Sequence, residues 1–217
     1  HGRIKGSIDI GGFKAMRIPC LETKRLILRS FTEDDTDALY LLLSDQELNI
    51  SAIVSRKKQA EANQFYKERL AASNKAEPPY SYAICFKEDP RPIGYVTVGM
   101  DDSYDFGYAL RKEFWHKGLV TEEAGLLFAV NEDGVPYITA THDKNNPRSS
   151  GVMKQLGMKY QYSYEEQWQP KNIPVIFRMY QLNLDEDQTR VYRKYWDHSV
   201  VHFIEEFKPL SASSYLR

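Results

Sequence analysis

Cysteine is scarce in this sequence, and long apolar runs are absent. Cys20 and Cys85 are the two cysteines among 217 residues, and they lie far apart in the chain. Such a pair makes neither a disulfide framework nor a cysteine cluster that could hold a metal. A membrane-spanning helix needs about 20 consecutive apolar residues, and no run approaches that length. We therefore expect a protein of the reducing cytoplasm, without a membrane segment.

Net charge and internal repetition are also nearly absent. The formal charge is −1, from 29 basic and 30 acidic residues. This balance gives no indication of a surface that binds nucleic acid or anionic membranes. Hydrophobic residues make up 42% of the chain, which suits one globular domain with a substantial core.

Polar caps, turn residues and alternating apolar residues predict a series of strands and helices. Thr32 followed by Asp35 has the spacing of a capping box at a helix start, and Gly157 marks a helix end. Two successive hairpins between 80 and 111 predict an antiparallel meander. The predicted strands are 24–29, 80–87, 93–100, 104–111, 136–141, 159–168 and 173–182, and the predicted helices are 32–44, 55–72, 121–130, 146–156 and 187–207.

The segment 114–123 carries the first functional signal. It follows a predicted strand, contains Gly118 and leads into a predicted helix. A helix start leaves several backbone N–H groups without partners and carries the positive end of the helix dipole. Such a loop binds phosphate through its main chain, and Lys117 adds a positive charge. Taken alone, the pattern is more often a plain turn.

Three segments together make the signal specific. Residues 21–29 are LETKRLILR, residues 114–123 are FWHKGLVTEE, and an Asn-x-x-Ser motif at 146–149 is followed by Leu-Gly-Met at 156–158. In this order they resemble the signature regions of the GNAT N-acetyltransferase superfamily, in the branch typified by ribosomal-protein N-terminal acetyltransferases. The resemblance covers about residues 16–184.

The resemblance implies a fold, a reaction and a domain organisation. The fold is α/β (α+β): a mixed, mostly antiparallel twisted sheet, flanked by helices and open at a central cleft. The reaction is direct transfer of an acetyl group from acetyl-CoA to a primary amine, on a protein N-terminus or a small molecule. Residues 1–15 would be an added or upstream leader, residues 16–184 the acetyltransferase domain, and residues 185–217 a helical extension. The extension would pack on the domain or on a second subunit of a homodimer.

The resemblance also implies which residues contact acetyl-CoA. The loop is expected to bind the diphosphate, and the strand before it to pair with the pantetheine amides. A backbone N–H near Leu110 would donate to the thioester carbonyl and stabilise the oxyanion. Val120 stands where family members often have Gly or Ala. The expected cofactor-binding residues are Tyr108, Ala109, Leu110, His116, Lys117, Gly118, Leu119, Val120, Thr121, Asn146 and Ser149.

Catalysis needs a base for the attacking amine and an acid for the departing thiolate. A free α-amine has a pKa of about 8, so a carboxylate or a water must take its proton. Asp105 and Glu166 are the candidates, with Glu165 beside the latter, although each alone could be a solvated surface acid. Met153 stands where many family members carry a tyrosine that gives this proton. The resemblance to the ribosomal-protein branch implies that Ser149, the serine of Asn-x-x-Ser, is the proton donor.

Several assignments stay open on the sequence alone. Asn146 could serve as a helix cap, and the Ser149 hydroxyl could bond to the preceding turn. An aromatic stripe alternates along one predicted strand face, where it would line an acceptor pocket or pack within the sheet. Its members are Tyr160, Tyr162, Tyr164 and Trp168. A non-catalytic sensor of acyl-CoA and a structural protein are the alternatives to an enzyme.

Overall fold

The structure, a computed structural model, describes residues 20–44, 64, 80–115, 117–119, 134–168 and 172–207. The predicted leader at 1–15 and the predicted helices at 55–72 and 121–130 lie outside these residues. No helix within the described ranges is both long and apolar enough to cross a bilayer.

Nine strands and three α-helices are found among the described residues. The strands are β1 (Leu21–Glu22), β2 (Leu26–Arg29), β3 (Ser81–Phe86), β4 (Gly94–Val98), β5 (Phe106–Leu110), β6 (Tyr137–Asp143), β7 (Lys159–Trp168), β8 (Ile173–Asn183) and β9 (His202–Phe203). The helices are α1 (Thr36–Ser44), α2 (Pro147–Gln155) and α3 (Lys194–His198). Each predicted strand is confirmed, with ends that differ by no more than two residues.

The strands form two sheets. β1 to β5 pair in sequence order and antiparallel, so the predicted meander is confirmed. The second sheet has the order β6-β8-β7-β9, and its pairs are also antiparallel. The expected mixed α+β class with a mostly antiparallel arrangement is confirmed.

One backbone bridge joins the two sheets among the described residues. Asp105 and Thr139 form an isolated parallel bridge, and the Thr139 N–H donates to the Tyr104 carbonyl at 3.2 Å. Beyond this point the described strands β5 and β6 continue without pairing. A wedge-shaped cleft therefore opens between 106–110 and 140–143, with its closed end at Asp105.

The main core lies on the face of the two sheets that α2 covers. Leu26 and Val96 of the first sheet, Ile138 of the second and Met153 of α2 are almost completely buried in one cluster. Burying a side chain of this size contributes about 1.5–3 kcal/mol to folding. This shared core fixes both arms of the cleft against α2.

Among the described residues, two different elements cover the opposite face. On the first sheet, Leu39 of α1 packs with Cys85 and Tyr95. On the second sheet, the C-terminal segment, residues 190–207, packs against the strands through a second cluster that contains Tyr164 and Tyr192. The cleft therefore has two sides, which we call the α2 side and the α1 side.

Local contacts explain the start of the 3-10 turn Glu33–Asp35, which leads directly into α1, and the end of α2. Asp35 accepts the Thr32 N–H at 2.8 Å, as the capping spacing predicts, and its carboxylate also receives two bonds from Arg29. At the end of α2, Gly157 has φ +84°, and the Met158 N–H donates back into the last turn. Both predicted boundaries are confirmed.

The prediction of one helix over 187–207 is wrong. Within that range α3 has five residues, and 202–203 form β9 beside β7. Before α3, the side chains of Asp185 and Asp187 accept N–H groups two residues farther on, each at 3.1 Å. Such local side-chain bonds compete with helix formation.

The prediction that four aromatic residues share one face of β7 is also wrong. The pairing of β7 with β8 shifts in register between Tyr160 and Tyr162. This bulge turns Tyr160 to the α2 side, where its ring lies 5.8 Å from that of Tyr180. Tyr162 and Tyr164 are buried against the C-terminal segment, so these two rings pack the sheet.

Candidate active site

The backbone of β5 presents polar groups to the cleft. The Arg111 N–H donates to the Ile93 carbonyl at 2.8 Å, which places the odd-numbered residues in the ladder with β4. Because the direction of these groups alternates along a strand, Tyr108 and Leu110 turn their N–H and C=O groups toward the cleft. The Leu110 carbonyl accepts the indole N–H of Trp115 at 2.6 Å. This edge has the geometry to pair with an extended chain that carries amides.

Side chains of β5 alternate between the two sides of the cleft. Tyr108 lies on the α2 side with the main core. Ala109 pairs with Tyr95, so it lies on the α1 side together with Asp105 and Gly107. Thr97 Oγ1 lies 2.9 Å from the place that a Cβ of Gly107 would take, so the missing side chain makes room for Thr97.

An arginine from the beginning of the first sheet holds the loop after β5. The Arg25 guanidinium donates to the carbonyls of Lys117 and Gly118, each at 3.1 Å. The C=O and N–H of one peptide point in opposite directions, so the Leu119 N–H points away from Arg25. Gly118 has φ +65°, which favours glycine. The expected loop residues His116, Val120 and Thr121 lie outside the described residues.

Two contacts connect α2 with the opposite arm of the cleft. The Tyr108 hydroxyl donates to the Ser149 carbonyl at 3.0 Å. The Arg148 guanidinium lies 5.4 Å from the centre of the Trp115 ring, within cation–π range. The half-buried Ser149 is therefore held beside β5, on the α2 side.

Asn146 occupies the N-cap position of α2, but its side chain makes no capping hydrogen bond. Its N–H donates to the Asp143 carbonyl at 2.8 Å. Pro147 follows at the first helical position, where the missing N–H costs little. The alternative in which the Asn146 side chain caps α2 is therefore not what the structure shows.

Asp105 lies at the closed end of the cleft. Its Oδ1 is buried and has no hydrogen-bond partner among the described residues. Burial raises the pKa of this carboxyl to about 6, and the charge of Asp101 adds to the shift. A buried oxygen without a partner costs folding free energy, and perturbed groups of this kind cluster at functional sites. Asp105 can therefore exchange a proton near neutral pH.

The other two candidate acids lie elsewhere. Glu166 is exposed on the α1 side of the second sheet, and Glu165 points to the opposite face of β7. Burial, then the charge of Glu166, and more weakly that of Asp105, raise the pKa of Tyr164. Tyr164 is thus close to both Glu166 and Asp105. Of these two residues, Asp105 is the one that lies at the closed end of the cleft.

Three residues of this region gave no signal in the sequence. Arg25 reaches a loop 92 positions away, and Arg148 reaches Trp115 across the cleft. Tyr195, in α3, stacks on Tyr164 at 5.1 Å. Periodicity and spacing describe neighbours along the chain, so they contain no information on these contacts.

Residues 25–159, more than half of the chain, match the family described as Acetyltransferase (GNAT) domain. A curated relative from Bacillus subtilis (strain 168), "Uncharacterized N-acetyltransferase YnaD", is 25% identical over 146 residues, which are 64% of this chain and 82% of the relative.

Solved structures share the fold. A GNAT-family acetyltransferase from Bacillus anthracis superposes with a TM-score of 0.65 and 18% identity, over 76% of this chain and 98% of that chain. RimL, a ribosomal L7/L12 alpha-N-protein acetyltransferase solved with coenzyme A, gives a TM-score of 0.63 and 16% identity, over 78% and 99%.

The family match agrees with the cleft geometry: a strand edge that pairs with no other described strand beyond Asp105, a loop whose Leu119 N–H points away from Arg25, and a carboxyl whose pKa is raised to about 6. The resemblance inferred from three sequence segments is thereby confirmed. The chain belongs to the GNAT acetyltransferase family and is an N-acetyltransferase whose cosubstrate is acetyl-CoA.

Proposed function

We propose that this enzyme transfers the acetyl group directly to a primary amine, with Asp105 as the general base and Ser149 as the proton donor to the leaving thiolate. The observation that carries this proposal is the half-buried Asp105 at the closed end of the cleft, whose Oδ1 is buried without a described partner and whose carboxyl has a pKa of about 6. A base is most effective when its pKa lies near the operating pH.

The described residues fit a bound acetyl-CoA. The Tyr108 and Leu110 edge of β5 suits the amides of the pantetheine arm, and a Leu110 N–H suits the thioester oxygen. The loop at Lys117–Leu119 directs main-chain donors away from Arg25, which suits the diphosphate. His116, Val120 and Thr121 complete the loop in this proposal, and the Asn146 amide contacts the same arm.

The two catalytic groups approach the cleft from opposite sides. Asp105 on the α1 side takes one proton from the ammonium, and the neutral nitrogen then forms its bond to the acetyl carbon. The second proton, which the nitrogen loses as the amide forms, and the proton on Asp105 both pass to water. Ser149 on the α2 side gives a proton to the sulfur as the carbon–sulfur bond breaks, and water restores that proton. Both steps are balanced without a covalent enzyme intermediate.

The α1 side favours a cationic acceptor. Asp101, Asp105 and Glu166 place negative charge there. An amine enters as an ammonium, which carboxylates attract. We therefore propose a protein N-terminus or a small polar amine as the acceptor, in parallel with the acetylation of a protein N-terminus by RimL.

Thiol release from acetyl-CoA, measured with a panel of amines from pH 5 to 9, tests the proposal. The wild type should show kcat/KM rising with pH through about 6. Asp105→Asn should lose about 100-fold or more in kcat, and Ser149→Ala should lower kcat more than it weakens coenzyme A binding. Asp89→Asn, which removes an exposed carboxylate in the β3–β4 turn, is the matched control.

Full activity in Asp105→Asn would remove this residue from the mechanism. If Glu166→Gln alone abolished turnover, the base would be Glu166. Coenzyme A binding without thiol release for any amine would indicate a sensor.

We also infer a cytoplasmic location, supported by the free thiols of Cys20 and Cys85. A homodimer is likewise a prediction, which sedimentation of the full chain tests.

A further inference from the structure

The C-terminal strap, residues 190–207, is fixed to the second sheet along its length. The Tyr192 N–H donates to the Gln181 side-chain oxygen at 2.8 Å, and the Tyr162 hydroxyl donates to the Tyr192 carbonyl at 2.6 Å. Farther along, β9 pairs with β7, and the Arg178 Nε–H donates to Glu205 at 2.9 Å. The strap is therefore held against the second sheet by hydrogen bonds and strand pairing along its length.

The strap also reaches the first sheet. Asp102, in the turn between β4 and β5, accepts the Tyr192 hydroxyl at 3.2 Å. Both oxygens of the same carboxylate accept the Lys194 ammonium at 3.1 Å. Asp102 lies three positions before Asp105, so the strap ties the two sheets together at the closed end of the cleft.

Tyr195 lies over that closed end. Its ring stacks on Tyr164 with centroids 5.1 Å apart and planes 10° apart. Its hydroxyl is near the side chains of Ser103 and Thr139, and Thr139 is the bridge partner of Asp105. The aromatic pair and the backbone bridge therefore enclose Asp105 from the strap side.

We propose that the strap completes the active site, with Tyr195 covering Asp105 and keeping bulk water from its carboxylate. This inference rests on the proposed function, in which Asp105 is the base. Tyr195 is a positioning residue, because it acts on the reaction through Asp105.

The groups around Asp105 explain why the cover matters. Those of the described residues that act on its charge are Asp101 of the turn, Tyr164 of β7 and Tyr195 of α3. None of these three is a cation, so no positive charge offsets the loss of water. A carboxyl kept from water holds its proton more strongly, which gives the base its working range.

The experiment follows the titration of Asp105 directly. Carboxyl carbon NMR of the full chain is recorded from pH 3 to 9, and the Asp105 signal is assigned by its loss in Asp105→Asn. The wild-type signal should titrate near 6. In Tyr195→Ala the midpoint should fall by more than one pH unit toward the ordinary value of about 4, whereas Tyr195→Phe, which keeps the ring, should stay near the wild type.

Two further variants separate cover from general loosening. Phe86→Ala removes a partly buried ring from the main core at the far end of the first sheet from Asp105, and should leave the Asp105 midpoint unchanged. Lys194→Met breaks the exposed anchor at Asp102 without opening the core, and should lower the midpoint in part even if Tyr195→Ala does not fold. In each variant, the acid limb of the pH profile of kcat/KM should follow the Asp105 midpoint: it should shift where the midpoint shifts and stay where the midpoint stays.

The outcomes distinguish the two proposals. An unchanged Asp105 midpoint in folded Tyr195→Ala would overturn the role of the strap. If Tyr195→Ala does not fold, an unchanged midpoint in Lys194→Met would do the same. Either result would hold even if Asp105→Asn is inactive. A midpoint that falls as expected, in a protein whose Asp105→Asn variant is fully active, would leave the cover in place and reject Asp105 as the base.

Discussion

At the residue scale, neighbours assign different chemistry to side chains of the same type. Asp102 and Asp105 lie in one short turn-to-strand stretch, yet their pKa values move in opposite directions. The hydrogen bond from Lys194 lowers the pKa of Asp102, whereas burial raises that of Asp105 to about 6. Asp102 therefore serves as an anchor for the strap, and Asp105 as a proton acceptor.

Asp105→Asn is expected to stabilise the fold at alkaline pH. The folded pKa of Asp105 is above the unfolded value of about 3.9, so the wild type loses stability as pH rises through about 6. The variant avoids this loss, on the order of 2 kcal/mol. Urea unfolding of both proteins should show this gain at pH 8 and little difference at pH 4. A difference that does not depend on pH would contradict the burial of the charge.

At the element scale, the local residue pattern predicted the strands but did not predict the structure of the strap. β7 and β8 alternate over ten residues or more, and their ends are close to the predicted ones. The strap contains a short helix, turns and a two-residue strand, which have too few residues to show a period. Its position depends on side-chain contacts such as that of Glu205 with Arg178.

Glu205→Gln is expected to weaken the attachment of the strap. At pH 7 the variant should lose about 2 kcal/mol in the free energy of unfolding, because Arg178 loses a charged partner. Hydrogen bonds from Arg178 and then Ser163 lower the pKa of Glu205 to about 2. Its contribution is therefore complete above the unfolded value of about 4.3 and is lost as pH falls toward 2.

Urea unfolding at pH 7 and pH 3 measures this change. The difference between wild type and Glu205→Gln should be smaller at pH 3. Glu206→Gln removes an adjacent, exposed carboxylate and should change stability by less than about 0.5 kcal/mol. An equal loss in both variants would mean that the Arg178 contact does not hold the strap.

At the scale of the whole molecule, the cleft results from two sheets that touch at one end. The core under α2 holds both sheets, and the strap joins them at Asp102. The width of the cleft is therefore set by elements that lie far apart in the chain.

A chain that ends at Leu184 should be clearly less stable than the full chain. It uncovers the large rings of Tyr162 and Tyr164, and each such side chain contributes about 1.5–3 kcal/mol when buried. We expect the melting temperature to fall by about 10 °C or more. A chain that ends at Phe207 keeps the strap and serves as the control. Equal melting of the three chains would show that the strap is not part of the fold.

The sequence by itself determined the strands, the ends of α1 and α2, the family and the loop expected to bind the diphosphate. These features depend on residues within a few positions of one another, where periodicity and capping act. Only the tertiary structure singled out Asp105 among the acids, placed Arg25 against the loop and brought the strap over the cleft. The physical reason is distance along the chain: Lys194 meets Asp102 across 92 positions, and desolvation arises only once such segments pack together.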